Sequence, residues 1–281
     1  MTTNGVHAFT REQYDALPDR TNFSVLKHMA RSPKAYLWAL LNPSSGDSDV
    51  MLRGRAVHTR VYEPELFRSA YAVWEDRRAG KFWEAFEAKA HAAGQEVLTA
   101  KLHQEVIELA EAIRRDPMAA PYLTGGKREQ SLLFDQVRPQ MGGLEGYTRP
   151  CKARLDYVRP DCIVDLKTTR NAEPRAFGAQ ANALLYYAQA AFYVDGLALA
   201  TGTPRRPYVI IAVEAAPPYV VQVYRVPEHL IEMGRAKYWE LLDRLDLCRR
   251  EDSWPGYAAA PLDLELPPWV MGTDDIEEEA A

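Results

Sequence analysis

Cys151-Lys-Ala-Arg-Leu-Asp156-Tyr-Val-Arg-Pro-Asp-Cys-Ile-Val-Asp165-Leu-Lys167-Thr-Thr169 is the stretch on which the fold turns. It predicts two short strands joined by Pro160-Asp161, since Pro and Asp suit the central positions of a type I turn. With those two residues as the loop, Val158 faces Ile163, Tyr157 faces Val164 and Asp156 lies across from Asp165. Like charges directly opposite on one sheet face are destabilising. Lys167 follows Asp165 by two residues and so points to the same face. A divalent cation would remove the repulsion and give the lysine a reaction to assist, so the stretch points to metal-dependent phosphodiester chemistry. The plain structural alternative is a solvated polar hairpin with an Asp165–Lys167 ion pair.

Outward from the hairpin, Gln130–Val137 reads as a preceding strand, with a Gly142-Gly143 turn between. Residues 174–200 read as a helix with an apolar stripe of Leu184, Leu185, Ala188, Ala191 and Phe192. Strands at 207–214 and 219–226 flank Ala216-Pro217-Pro218, and 228–250 is a final amphipathic helix. Upstream, Val25–Arg31 is a short helix capped by Asn22 or Ser24, Ser32-Pro33 opens a helix to Leu41, and Val50–Tyr62 is another, ending near Glu63-Pro64. Residues 83–115 are rich in Ala, Glu, Lys and Leu and predict one long helix or two consecutive ones. Residues 1–21 are expected to be loosely ordered. Residues 22–270 are expected to form one α/β (α+β) domain, with Trp254-Pro-Gly-Tyr257 and Leu266-Pro-Pro-Trp269 wrapping over it, and 271–281 a disordered acidic tail.

Net charge is -5, awkward for a protein that binds phosphates. Asp274, Asp275, Glu277, Glu278 and Glu279 account for it, so the body is formally neutral. Basic pairs such as Arg53-Gly-Arg55, Arg77-Arg78, Lys127-Arg128 and Arg205-Arg206 offer local positive charge. The three cysteines, Cys151, Cys162 and Cys248, are odd in number and widely spaced, which fits a reducing cytoplasm and excludes a disulfide scaffold. No run of eighteen apolar residues is present and the opening residues lack a secretory pattern, so neither a membrane partner nor export is expected.

Several side chains join Asp156, Asp165 and Lys167 as candidates. The Leu166 carbonyl suits a hard cation bound by the two aspartates. Gly54 and His58 share a helix face four residues apart, and His58 is a candidate neutral ligand. Gly54 costs about 1 kcal/mol in a helix interior, which suggests a close approach there. Gln189 and Tyr193 also lie four apart and can reach one phosphate or base. Glu129 is a candidate accessory carboxylate. Ser24 and Lys27, at an early helix start, and Arg53 are candidate DNA contacts.

Taken in order, Gly54-x-x-x-His58, Asp156, Asp165-Leu-Lys167-Thr168-Thr169 and Gln189-Ala-Ala-Phe-Tyr193 resemble the motifs of the PD-(D/E)XK nuclease superfamily. The branch is RecB-like, of the exodeoxyribonuclease VIII (RecE) type. Glu129-Gln-Ser131 and the segment from Phe23-Ser24 to Ser32-Pro33 also look like that subgroup. The resemblance implies a restriction-endonuclease-like core, a mixed central β-sheet flanked by helices. It implies a Mg²⁺-dependent exonuclease (Mn²⁺ substituting), with His58, Asp156, Asp165 and the Leu166 carbonyl holding the ion. It further implies digestion of double-stranded DNA ends, usually from the 5′ side, to expose a 3′ strand for a single-strand annealing protein in recombination. Such enzymes, often of phage origin, are commonly ring-shaped homo-oligomers. The chain departs in lacking a helicase phosphate loop and the cysteines of an iron–sulfur cluster. A restriction-like or structure-selective endonuclease and a catalytically silent DNA-binding module are the alternatives.

Overall fold

The hairpin closes where Pro160 and Asp161 place it. The Arg159 N–H donates to the Cys162 carbonyl at 2.9 Å, Val158 pairs with Ile163 and Tyr157 with Val164. After those two rungs the strands part. The register is the expected one, but Asp156 and Asp165, next along it, do not pair. Instead the Asp156 carboxylate accepts the Leu166 N–H at 2.9 Å, so a side chain takes the place of the next backbone bond.

The computed structural model describes residues 3–42, 48–140, 145–258 and 260–266. In chain order these form β1 (Gly5–His7), α1 (Arg11–Asp15), α2 (Phe23–Leu26), a 3₁₀ turn (Lys27–Ala30), α3 (Pro33–Leu41), α4 (Asp49–Tyr62) and α5 (Pro64–Ala70). Next come β2 (Tyr71–Trp74), α6 (Gly80–Ala92), β3 (Glu96–Thr99), α7 (Ala100–Arg115), a 3₁₀ turn (Ala120–Leu123), β4 (Lys127–Arg138), β5 (Tyr147–Val158) and β6 (Ile163–Thr169). The chain continues through α8 (Pro174–Ala183), α9 (Tyr186–Thr201), β7 (Tyr208–Glu214), β8 (Val221–Val226) and α10 (Glu228–Glu251).

Six strands make one sheet in the order β1-β4-β5-β6-β7-β8, and a second small sheet joins β2 to β3. In the large sheet only β6 and β7 are parallel, because α8 and α9 form the crossover that a parallel pair requires. One face packs Phe134, Ala153, Ile163 and Ile210 against Phe23, Phe192, Tyr238 and Leu241 from α2, α9 and α10. The other packs Val164, Leu166 and Ile211 against Val57, Val106, Leu109 and Ile113 from α4 and α7. This is a mixed α/β architecture, helices on both faces of a mostly antiparallel sheet. α10 lies very close to α9: a Cβ on Gly234 would stand 2.2 Å from the Tyr187 carbonyl oxygen.

Four expectations are corrected. The described part of the expected loose lead, residues 3–21, is anchored: β1 pairs with β4, and the buried Lys152 ammonium donates to the carbonyls of Tyr14, Asp15 and Leu17 at 2.8, 3.3 and 3.1 Å. Residues 83–115 contain β3, since Gly94 at φ +71 ends α6 and Glu96–Thr99 pairs in parallel with β2. The helix expected over 174–200 breaks at Leu185, which takes a left-handed φ of +57, and its halves are bent by 69°. Gly54 makes no tight approach, because a Cβ there would meet Thr168 Oγ1 at an ordinary 3.7 Å.

The expected wrap is present in part: Trp254 stacks on Tyr36, and the Lys34 N–H donates to the Pro255 carbonyl. The remainder of Leu266-Pro-Pro-Trp269 and the acidic tail lie outside the described residues. Among the described residues, no single helix is long and apolar enough to cross a membrane.

Candidate active site

The β4–β5 ladder brings the first carboxylates together. Its register places Glu129 opposite Asp156, although neither makes a backbone rung. Immediately before this point Leu155 belongs with the α9 side of the sheet, and immediately after it Tyr157 belongs with the α4 side, although residues two apart on a regular strand share a face. The alternation of faces thus slips by one residue at Asp156, and Glu129 takes φ +49 to follow it. The slip turns two carboxylates toward the gap between β5 and β6.

His58 enters that gap from α4. Its Nε2 lies 2.9 Å from the Leu166 carbonyl and its Nδ1 3.4 Å from Asp156 Oδ2. One ligand atom each from His58, Glu129 and Asp156 lies within 4.8 Å of the others. An imidazole and two carboxylates suit a divalent ion such as Mg²⁺ or Mn²⁺. The chemistry of this donor set therefore fits a metal centre. It differs in membership from the expected set: Glu129 completes the trio in place of Asp165, and the Leu166 carbonyl is engaged by the imidazole.

Asp165 instead faces Lys167. The Lys167 ammonium is 2.7 Å from Asp165 Oδ2, 3.1 Å from Gln189 Oε1 and over the Tyr186 ring at 4.8 Å. Gln189 in turn donates to the Tyr193 hydroxyl at 3.1 Å. The break at Leu185 makes this possible, because it starts α9 afresh and aims Tyr186, Gln189 and Tyr193 at the end of β6. Asp165 Oδ2 is buried and, though ion-paired, has no properly angled hydrogen bond. Such an under-satisfied buried oxygen is also compatible with a nearby cation.

The electrostatics follow from burial opposed by charge. Burial works against a charged His58, yet the Asp156 carboxylate outweighs it and raises the imidazole pKa to about 9. Asp156 resists burial through His58, Lys167 and the Leu166 N–H, which hold its pKa below the usual range. Asp165 and Glu129 are both raised, chiefly by burial, with Asp156 adding repulsion. Lys167 is raised despite burial, because Asp165 and Asp156 favour its charge. The lysine is therefore an ammonium at neutral pH, suited to donating hydrogen bonds to developing negative charge.

Other expected residues stand apart from this cluster. Ser24 is exposed and donates to Asn22 Oδ1 at 2.6 Å, while Asn22, not Ser24, caps α2. Lys27 is closer to the chemistry: burial and then the charge of Lys167 lower its pKa. Arg53 pairs with Glu105 of α7 at 3.5 Å. Three contributors escaped the sequence reading. Arg154 bonds Glu129 at 2.7 Å, and its i−2 spacing from Asp156 was an available signal. Tyr186 stacks beneath Lys167, and Tyr208 buries its hydroxyl beside Asp165; neither had a spacing signal.

Known proteins resemble this chain in fold and, over most of its length, in family. A solved structure described as "Putative exonuclease" from Eubacterium rectale is similar over 94% of this chain and 97% of its own, with a TM-score of 0.61 and 16% identity. That likeness shows the fold. SSO0001 matches over 78% of this chain and 85% of its own at 12% identity, but its TM-score of 0.28 adds nothing to the assignment. No curated protein matches the sequence. Residues 22–260, which carry both the His58–Glu129–Asp156 trio and the Asp165–Lys167 pair, match a family model described as a PDDEXK-like domain of unknown function (DUF3799), and the chain belongs to that family.

Proposed function

We propose that the protein is a divalent-metal-dependent exonuclease that hydrolyses phosphodiester bonds at the ends of linear duplex DNA. The observation that carries this reading is the convergence of His58, Glu129 and Asp156 with the Asp165–Lys167 pair where β5 and β6 part. His58, Glu129 and Asp156 would hold Mg²⁺ or Mn²⁺, with Asp165 adjacent. The bound ion supplies Lewis-acid polarisation of the scissile phosphate.

The chain's own groups do the rest. Lys167, held by Asp165, Gln189 and Tyr186, donates to a non-bridging phosphoryl oxygen as negative charge develops there. The Gln189–Tyr193 pair fixes the direction of that ammonium and lines the strand's path. Hydrolysis forms a bond from water oxygen to phosphorus and breaks one P–O bond to sugar, the water protons leaving to solvent and to the departing oxygen. Preference for 5′ ends, exposure of a 3′ strand for an annealing partner, a ring oligomer and a cytoplasmic recombination role complete the reading, supported by the motif order along the chain.

The test is incubation of the purified protein with 5′- and 3′-labelled linear duplex and covalently closed circles, with Mg²⁺ or with EDTA. Metal-dependent loss of linear DNA with circles spared is expected, the 5′ label leaving first. Cut circles would make it an endonuclease, and inertness toward both with either Mg²⁺ or Mn²⁺ would refute the assignment.

A further inference from the structure

We propose that Arg154 is a positioning residue that holds Glu129 in the metal cluster and is itself oriented by the segment preceding α2. The inference rests on the metal-centre part of the reading above. Arg154 stands opposite Ser131 on the β4–β5 ladder, two residues before Asp156. Its Nε donates to Glu129 Oε2 at 2.7 Å, while its Nη1 donates to the Phe9 carbonyl at 2.9 Å and Ser131 Oγ at 3.2 Å. The guanidinium donors share one rigid plane, so fixing Nη1 fixes the line along which Nε meets the glutamate.

Glu129 has two reasons to need such a hold. Its φ of +49 is a conformation that residues other than glycine adopt at some expense and keep only when their surroundings impose it. Its carboxylate also shares a register position with Asp156, where like charges repel. Arg154 answers both by holding Glu129 Oε2 with its own positive charge.

The Phe9 carbonyl belongs to the link between β1 and α1. That segment is anchored independently, by the β1–β4 pairing and by the Lys152 ammonium under the carbonyls of Tyr14, Asp15 and Leu17. It precedes the family match, which begins at residue 22. A segment outside the matched region is thereby wired to a metal-cluster carboxylate through one side chain.

Two effects of removing Arg154 oppose each other. Loss of a nearby cation favours binding of a divalent ion, whereas loss of the partner that orients a ligand weakens metal binding by about 10–100-fold. The sign of the measured change decides between them. Mn²⁺ binding is measured by calorimetry on the full-length wild type, Arg154→Gln, Glu129→Gln and the double variant, with DNA cleavage at limiting and saturating Mn²⁺ in parallel. Arg154→Gln should weaken Mn²⁺ binding about tenfold and raise the Mn²⁺ needed for half-maximal cleavage by a similar factor, with a smaller change in rate at saturation. The double variant should bind no more weakly than Glu129→Gln alone, since Arg154 acts through that residue.

Unchanged or tighter Mn²⁺ binding by folded Arg154→Gln overturns the inference, and so does an additive loss in the double variant. If Arg154→Gln does not fold, Arg154→Lys keeps the charge without the fork, and wild-type Mn²⁺ affinity in that variant overturns the inference equally. Mn²⁺ binding by a wild type that cleaves nothing refutes the nuclease reading, and the calorimetric comparison still decides the role of Arg154. A wild type that binds no Mn²⁺ overturns both.

Discussion

Gly234→Ala separates stability from catalysis with a single methyl group. The new Cβ would stand 2.2 Å from the Tyr187 carbonyl oxygen and 2.7 Å from its carbon, backbone atoms that cannot swing aside. An ordinary carbon–oxygen contact needs about 3.3 Å, so the two helices must separate by about 1 Å at that point. Such overpacking costs about 3 kcal/mol, the upper end of the usual range, and alanine returns about 1 kcal/mol of helix propensity. The net loss is about 2 kcal/mol, or roughly 4–8 °C in Tm for a chain of this size.

Which helix moves determines the kinetics. α9 is already wedged against the sheet, since a Cβ on its Gly196 would meet the Phe134 ring at 2.7 Å. α10 is held to the sheet through side chains, from Arg138, Tyr147 and Arg149 to its Asp243 and Asp246, contacts that can lengthen as it shifts, so it is the helix that yields and Gln189 stays on Lys167. Thermal melting should therefore show the drop, while kcat/KM for linear DNA well below the melt stays within about threefold of wild type, given that a 1 Å misplacement of catalytic groups costs about 100-fold. An unchanged Tm would refute the close approach. A tenfold loss of kcat/KM in a folded variant would refute the argument that α10 is the part that yields.

Three further outcomes follow from the site and its supports. Asp156→Asn and Lys167→Met should each lower cleavage by about 100-fold or more with near-native circular dichroism, measured on labelled duplex; wild-type rates in either would refute the assigned roles. Because Asp156 raises the His58 pKa, the pair stabilises the metal-free protein fully below the ordinary histidine pKa of 6.5, and this contribution is lost as pH rises through about 9. Urea titrations across that window should show the decline, and His58→Gln should flatten it. Buried Asp195 accepts from Arg205, Arg235 twice and Tyr238 at 2.5–2.9 Å, and burial is outweighed there, so its pKa is lowered. Its stabilisation is present above the ordinary aspartate value and lost as pH falls through the folded one, so Asp195→Asn should destabilise at neutral pH and lose less on acidification, as read by Tm against pH.

Much of the core was legible because local chemistry and tertiary need agree there. Pro160-Asp161 can hardly be anything but a turn, and the apolar pattern around it pins the first two rungs. The reading failed where a side chain competes with backbone: nothing in the spacing says that the Asp156 carboxylate will take the Leu166 N–H and part the strands. β3 was hidden because four residues, Glu96–Thr99, are too few for a period to register between two alanine-rich helices. The break at Leu185 follows no proline or glycine. It is a tertiary demand, since an unbroken helix would not bring Tyr186 and Gln189 together onto Lys167. Glu129 was named, but its place beside His58 depends on a strained φ that no propensity scale encodes.

The two-rung junction between β5 and β6 has a mechanical meaning. β4 and β5 share eleven rungs and β6 and β7 share seven, so the sheet is two stiff plates joined along a short seam. Glu129 and Asp156 ride on one plate, Asp165 and Lys167 on the other. Any torque between the plates changes the spacing of the groups at the open end of the seam, and the Asp156–Leu166 bond is the latch that resists it. The Leu166 amide is then a built-in strain gauge, its hydrogen exchange reporting how firmly the two halves are held at the jaw between them.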